Sequence, residues 1–169
     1  MTPGARALWE AYLAARTSAG PPEEGPPVER LGDSPALNDS LLGLVLAGTK
    51  RATAGLVVDS TDRGEPLPRI GAHWLVADGA GLPRCVLRST ELRVGPLHSV
   101  DDAFAWDEGE GDRTRDSWLA GHLRYFTRTL EARGRRWSDD LEVVFERFVV
   151  VWPPEVADPP RPPSGRTGR

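Results

Sequence analysis

Residues 141–152 constrain the fold more tightly than any other stretch of the chain. Leu141, Val143, Phe145, Val149 and Val151 alternate onto one face, interrupted by Arg147, while Glu142, Val144, Glu146, Phe148, Val150 and Trp152 take the other. Side chains alternate across a strand with a period of two, so this pattern predicts a strand, apolar on both faces near its end. Such a strand needs cover on both sides, as in a closed or layered sheet. Two more apolar runs, 72–77 and 83–94, are joined around Asp78-Gly79-Ala80-Gly81, which predicts a hairpin. A short β-branched run at 54–59 adds a strand, and residues 61–68, with Gly64, Pro66 and Pro68, read as a loop.

Helices surround these strands. Residues 5–18 place Leu8, Trp9, Tyr12 and Leu13 on one stripe, and a Pro-rich extended connector follows over 20–33. Ser34 is a suitable N-cap and Pro35 a suitable first helical residue; Leu37, Leu41, Leu44 and Val45 form the buried stripe, and Gly48 ends the helix. Ser99, with Asp102 three residues on, predicts a capped short helix leading to Phe104 and Trp106. Asp112 or Thr114 caps a longer helix to about residue 132, with Leu119, Leu123, Phe126 and Leu130 as its core stripe.

Strands mixed with helices that precede and interrupt them predict an α+β fold. The number of strands suggests a small β-barrel, closed or half-closed, surrounded by helices. The alternation is too irregular for a doubly wound parallel sheet, and no Gly-rich phosphate loop follows a strand. The expected division is an N-terminal helix and connector over 1–30, one domain over 31–152, and a tail over 153–169. That tail holds six Pro among 17 residues and no apolar periodicity, so it is expected to be disordered.

Charge and composition narrow the function. The net charge is −4, with a pI near 5.4. A protein gripping long duplex DNA through many phosphates is usually basic on at least one face. A small ligand or a short single strand fits this balance better. No apolar run is long enough to span a membrane, and residues 1–19 lack a signal-peptide core, so cytoplasmic residence is expected. Cys85 is the sole cysteine, which excludes an intrachain disulfide.

Two features carry candidate chemistry. Lys50 is the sole lysine among 21 Lys and Arg residues, in a chain that otherwise uses arginine throughout. A lysine ammonium is compact and its pKa falls on desolvation, whereas a guanidinium stays charged and forked. Three residues later Thr53 offers a hydroxyl that a nearby amine can activate. A second reading stays open: Lys50 stands just past a helix C-terminus, where the dipole alone favours a cation. The other feature is a segregation of charge. Asp101, Asp102, Asp107, Glu108, Glu110 and Asp112 form a run without a base, and seven Arg follow between 113 and 136. This is either a solvated helix-dipole pattern or an acidic turn facing a cleft beside an arginine face. The glycines in Glu108-Gly109-Glu110-Gly111-Asp112 let the backbone turn sharply and expose carboxylates. The spacing does not match a calcium loop, and His73, His98 and His122 stand at no ligand spacing, so no metal or other cofactor is expected.

Three pieces together resemble the ASCH domain family, of the PUA-like group of small β-barrels, in its longer bacterial subgroup, over roughly residues 30–152. They are Gly48-Thr49-Lys50 through Thr53 after a Leu-rich helix opened by Asp33-Ser34-Pro35; Phe104-Ala105 followed by Glu108 to Arg113, then Trp118, His122 and Tyr125-Phe126; and the closing strand 144–152. Thr114 stands where Ser is more usual, and keeps the hydroxyl. The resemblance implies a barrel with a cleft lined by the first two motifs. It implies RNA binding, and in some members cleavage of single-stranded RNA. In shorter relatives it implies hydrolysis of the amide of N4-acetylcytidine by a Lys, a Thr and a Glu. Carried over by motif, the catalytic set is Lys50, Thr53 and Glu108, with Glu110 as the alternative acid. Arg51, Trp106, Glu110, Arg113, Trp118 and His122 are the expected substrate-binding residues. Two functions follow. One is an amide hydrolase on a nucleoside. The other is a single-stranded RNA-binding module or ribonuclease, with Arg113, Arg115, Arg124 and Arg128 on phosphates and Trp106 or Trp118 stacking a base. A non-catalytic small-ligand binder is the third.

Overall fold

The computed structural model describes residues 1–16 and 25–159. The elements run α1 (Pro3–Ala15), β1 (Val28–Glu29), α2 (Pro35–Leu46), β2 (Ala52–Leu56), α3 (Val57–Arg63), β3 (His73–Ala77), β4 (Pro83–Pro96), α4 (Asp102–Glu108), α5 (Arg115–Glu131) and β5 (Glu142–Trp152). One five-stranded sheet has the order β1-β3-β4-β5-β2, antiparallel except for the parallel β1–β3 pair.

The long strand β5 is buried on both faces, as its pattern predicts. Phe148 and Val150 pack with Trp74, Val76, Cys85 and Leu87 beneath α2, whose Leu41, Leu42 and Val45 complete that layer. Val143 and Phe145 turn the other way, onto Phe104, Trp118, Phe126 and Leu130 of α4 and α5. The helix α1 covers Leu75 and Val86 with Ala5, Trp9 and Tyr12. The hairpin β3–β4 forms where expected, with a register shift at Val76/Ala77, and the β4–β5 ladder carries two more, at Val86/Leu87 and Ser89/Glu91.

The sheet is not closed into a barrel. Among the described residues, β1 has two residues and pairs with β3, and β2 pairs with β5 alone. Between these two edges lies a cavity walled by Glu29 on one side and by Thr53 and Gly55 on the other. A two-residue edge has too few backbone groups to zip across that gap.

Other local expectations are corrected. The strand expected over 54–59 stops at Leu56, and Val57 begins α3, which Gly64 ends at φ 64°. Leu56 pairs with Val143, one residue from the start of β5, so the ladder runs out of partner there and strand propensity has nothing to pair with. The short helix α4 is capped by Asp101, whose Oδ1 accepts from Phe104 N at 2.7 Å; Ser99 Oγ instead donates to Pro96 O at 2.6 Å. The first helix ends at Ala15, and Arg16 is already extended. Residues 17–24, which include the start of the expected connector, lie outside the described residues.

The tail is not disordered from Pro153. Asp158 turns back to accept from Val150 N at 2.8 Å and pairs with Arg51. The remainder of the expected disordered tail, residues 160–169, lies outside the described residues. Ser34, Pro35, Gly48 and Thr114 take the capping places read for them, with Gly48 at φ 82°.

Candidate functional site

Lys50 reaches the interior through a short main-chain clasp. Lys50 N donates to Leu44 O at 3.1 Å as α2 ends, Arg51 N donates to Asp107 O at 2.7 Å, and Phe148 N donates to Arg51 O at 3.0 Å. These bonds tie the residue to α4 and β5 before its side chain makes any contact. The acidic turn is pressed against the same segment. Gly109, at φ 72°, leaves α4 so close to Thr49 that a Cβ would sit 2.8 Å from the Thr49 carbonyl carbon and closer still to its oxygen. Both the left-handed backbone and the approach require glycine there.

The Lys50 side chain is 1% exposed, and its Nζ donates to Glu108 Oε1 at 3.1 Å and to Glu110 Oε1 at 2.5 Å. Glu108 is equally buried. Its Oε1 also lies 3.3 Å from His122 Nε2, and its Oε2 accepts from the Trp118 indole. Burial alone would push this carboxyl up, but Lys50, then His122 and Trp118, outweigh it and bring it down to about 2. His122 stacks on Trp118 at a centroid distance of 3.8 Å and 13° between planes, and its Nδ1 lies 3.0 Å from Trp118 O. Glu110 differs from Glu108: its side chain is 32% exposed and faces the cleft.

A cavity of about 370 Å³ opens over these groups. That volume is in the range of small-molecule sites. Thr53 and Ala54 of β2, Leu31 and Leu37, and Ser117, Tyr125, Arg124 and Arg128 from the side of α5 complete its wall.

The sequence-derived residues separate into two groups. Lys50, Thr53, Glu108, Glu110, Trp118 and His122 converge on the cleft. Arg51, Trp106 and Arg113 do not line it. The Arg51 guanidinium is spent on Val45 O at 2.7 Å, Lys50 O at 2.8 Å and Asp158. Trp106 is 57% exposed and carries Arg113 over its ring at 3.8 Å, with the same guanidinium donating to Trp106 O. Trp118 is buried between His122 and Phe145, so it serves as a hydrogen-bond donor and wall rather than a free stacking face. Of the arginines expected on phosphates, Arg115 is bound to the Val100 and His98 carbonyls and Arg128 to Asp33, which leaves Arg124 exposed at the rim of the cleft.

Sequence reasoning missed Leu31, Gly32 and Tyr125 as wall and Asp158 as the partner of Arg51. Only the Asp33-Ser34-Pro35 helix start pointed toward the first two. Among the described residues, no helix is long and apolar enough to cross a membrane.

Comparison with known proteins agrees with this geometry. The ASCH domain family model matches residues 29–152. The crystal structure of an ASCH domain from Lactobacillus crispatus JV V101 is similar at 26% identity and a TM-score of 0.80, covering 89% of this chain and 96% of that one. Protein EF3133 from Enterococcus faecalis V583 is similar at 27% identity and a TM-score of 0.79, covering 89% of each chain. No curated protein matches the chain. With the match spanning most of its length, and with the fold shared, this chain belongs to the ASCH domain family, which is commonly thought to bind RNA.

Proposed function

We propose that the Lys50 cleft binds a cytidine acylated at N4, free or within a short single strand of RNA, and hydrolyses its amide. The observation that carries this reading is the buried Lys50 amine, shared between one sealed carboxylate and one that faces the cleft, with the Thr53 hydroxyl on the same wall. An amine donating to two carboxylates is engaged as an ammonium, which suits it to polarise a carbonyl rather than to act as a base. Both oxygens of Glu108 are occupied, and its carboxyl is held too low to take up a proton near neutral pH. Glu108 therefore holds Lys50 in place, and Glu110 is the proton carrier.

The reaction then runs in two steps. Water held by Thr53 attacks the acyl carbon and gives a proton to Glu110, while Lys50 donates to the developing oxyanion. The tetrahedral intermediate collapses, the C–N4 bond breaks, and N4 takes the proton back from Glu110, releasing cytidine and the carboxylic acid.

The test is purified protein with N4-acetylcytidine, followed for cytidine by chromatography. Turnover is expected, with a loss of about 100-fold or more in Lys50→Arg, the scale of removing one oxyanion donor. No turnover, or equal turnover in Lys50→Arg, overturns the reading.

A second reading, RNA binding without chemistry, is favoured by the family match and by Arg124 at the cleft rim. With the neighbouring arginines engaged elsewhere, few phosphates are held. Affinity for single-stranded RNA should then fall with salt with a shallow slope of about −0.7 per phosphate contact. Binding that ignores salt rules this reading out.

A further inference from the structure

The cavity between the two free sheet edges has a volume of about 540 Å³, within the range of small-molecule sites. The proposed reaction does not use it. Its charges are sorted by depth. Glu146 is 7% exposed and stands on the floor, opposite Thr53 in the pairing of β5 with β2. The Ser89 hydroxyl donates to its Oε1, and the Trp74 indole, sealed beside it, favours the charged carboxylate. Both neighbours stabilise an anion, and neither carries a positive charge. Among the described residues no cation pairs with Glu146, and the charged group that acts on it is Glu29, another acid. The guanidinium groups of the lining stand at the mouth: Arg30, Arg63 and Arg69 are all exposed. Arg63 is engaged by Glu65 at 2.5 Å, and its charge also faces Glu29 and Asp59. Arg30 reaches the hairpin turn, with its Nη2 3.2 Å from where a Cβ on Gly81 would sit. A buried carboxylate without a counter-ion is costly, and a bound cation offsets that cost.

We propose that this chamber binds a small organic ammonium ion, its charged nitrogen on the Glu146 carboxylate and its apolar body against Leu56, Val144 and Trp74. The site is independent of the reaction proposed for the Lys50 cleft, and either can fall without the other. A second observation points to an occupant. Gly55 lies on β2 at the chamber wall, and nothing stands within 4 Å of where its Cβ would be. A glycine inside a strand weakens it, and often marks a place where a ligand comes close. In register Gly55 is opposite Val144, and Thr53 is opposite Glu146, so the space left by the glycine lies beside the carboxylate on one face of the sheet. The class of ligand follows from the walls. An anion would be repelled by the Glu146 charge. A metal ion lacks ligands, because among the described residues no three His, Cys, Asp or Glu are grouped to hold one. An alkyl- or arylalkylammonium meets both requirements: its N–H groups make charge-assisted hydrogen bonds to the carboxylate, and its carbon skeleton removes the apolar wall from water.

Titration calorimetry of the full chain near neutral pH decides it, with phenethylamine, its neutral counterpart phenethyl alcohol and its anionic counterpart phenylacetate. The proteins are the wild type, Glu146→Gln, Gly55→Val and Glu110→Gln, each checked for folding by thermal unfolding. Glu146→Gln removes the charge and keeps the shape. Gly55→Val fills the chamber without touching a charged group, suits a strand, and decides the matter should the first variant fail to fold. Glu110→Gln removes the carboxylate that faces the other cleft. Phenethylamine should bind the wild type about tenfold or more tightly than the alcohol, the worth of one hydrogen bond to a charged group, and phenylacetate should bind more weakly than either. Each chamber variant should weaken the amine about fivefold or more, and Glu110→Gln should leave its affinity unchanged. The proposal is overturned if the amine binds no better than the alcohol, or if its affinity survives either chamber variant in folded form. It is overturned equally if the affinity depends on Glu110, which would place the cation in the Lys50 cleft.

Discussion

Glu108 and Glu146 are buried to a similar depth in one domain, at 1% and 7% exposure, yet their carboxyls move in opposite directions. Burial pushes both up. Around Glu108 an ammonium, an imidazole and an indole reverse that push; around Glu146 the Ser89 hydroxyl and the Trp74 indole oppose it without a cation, and Glu29 adds to it. The difference teaches that depth sets a penalty of one sign, and charged partners decide whether it is overcome. It also sorts the two chambers by chemistry: one holds a fixed ion pair, and the other presents polar groups without a buried cation.

The comparison can be broken most severely at Lys50. Lys50→Met strips the ammonium from a sealed carboxylate, and chemical denaturation should show a loss of about 3–5 kcal/mol, the cost of leaving a buried charge unpaired. In that variant the Glu108 carboxyl should rise toward the behaviour of Glu146, a change readable by NMR titration.

Acid sharpens the contrast next. The folded Glu108 carboxyl lies near about 2 against an ordinary 4.5, so its contribution is complete above 4.5 and is lost as pH falls toward 2. Denaturation midpoints across that window should show a decline on the order of 3 kcal/mol, and Glu108→Gln should flatten it. Gly109→Ala, which forces a side chain into a left-handed backbone against Thr49, should cost about 1–3 kcal/mol and lower the thermal midpoint.

Glu146→Gln should be the mildest change, within about 1 kcal/mol near neutral pH. Its sign is opposite to that of Glu108: because the folded carboxyl lies above its usual value, the wild type loses stability as pH rises through that raised value. The variant should therefore gain on the wild type as pH climbs, and parallel denaturation series at acid and neutral pH will show whether it does.

Much of the Lys50 cleft was legible because its signals are local. A sole lysine after a helix-ending glycine, a glycine-flanked pair of glutamates and a Thr-capped helix each stand in a few consecutive residues. What was hidden depends on distant pairing. The β2 ladder ends where β5 begins, and nothing in Val57 or Val58 announces that. The open sheet follows from a two-residue edge embedded in a Pro-rich segment that shows no strand period. Trp106 and Arg113 have the right chemistry for a cleft, but residue type does not encode which way a short helix faces. Arg51 was drawn away by Asp158, 107 positions along the chain and inside the stretch expected to be disordered. Glu146 alternates like an outward residue of β5; only α2 and the strands around it put that face inside.

The clasp around residues 50 and 51 has a consequence for inheritance and redesign. Its bonds run from amide to carbonyl, between Lys50 and Leu44, Arg51 and Asp107, and Phe148 and Arg51, and none is made by a side chain. Such a mount is indifferent to what hangs from its Cα atoms. A lineage, or an engineer, can therefore exchange the cargo at positions 50 and 108 for another mutually compatible couple and find it presented to the same space, with new chemistry on an old bracket.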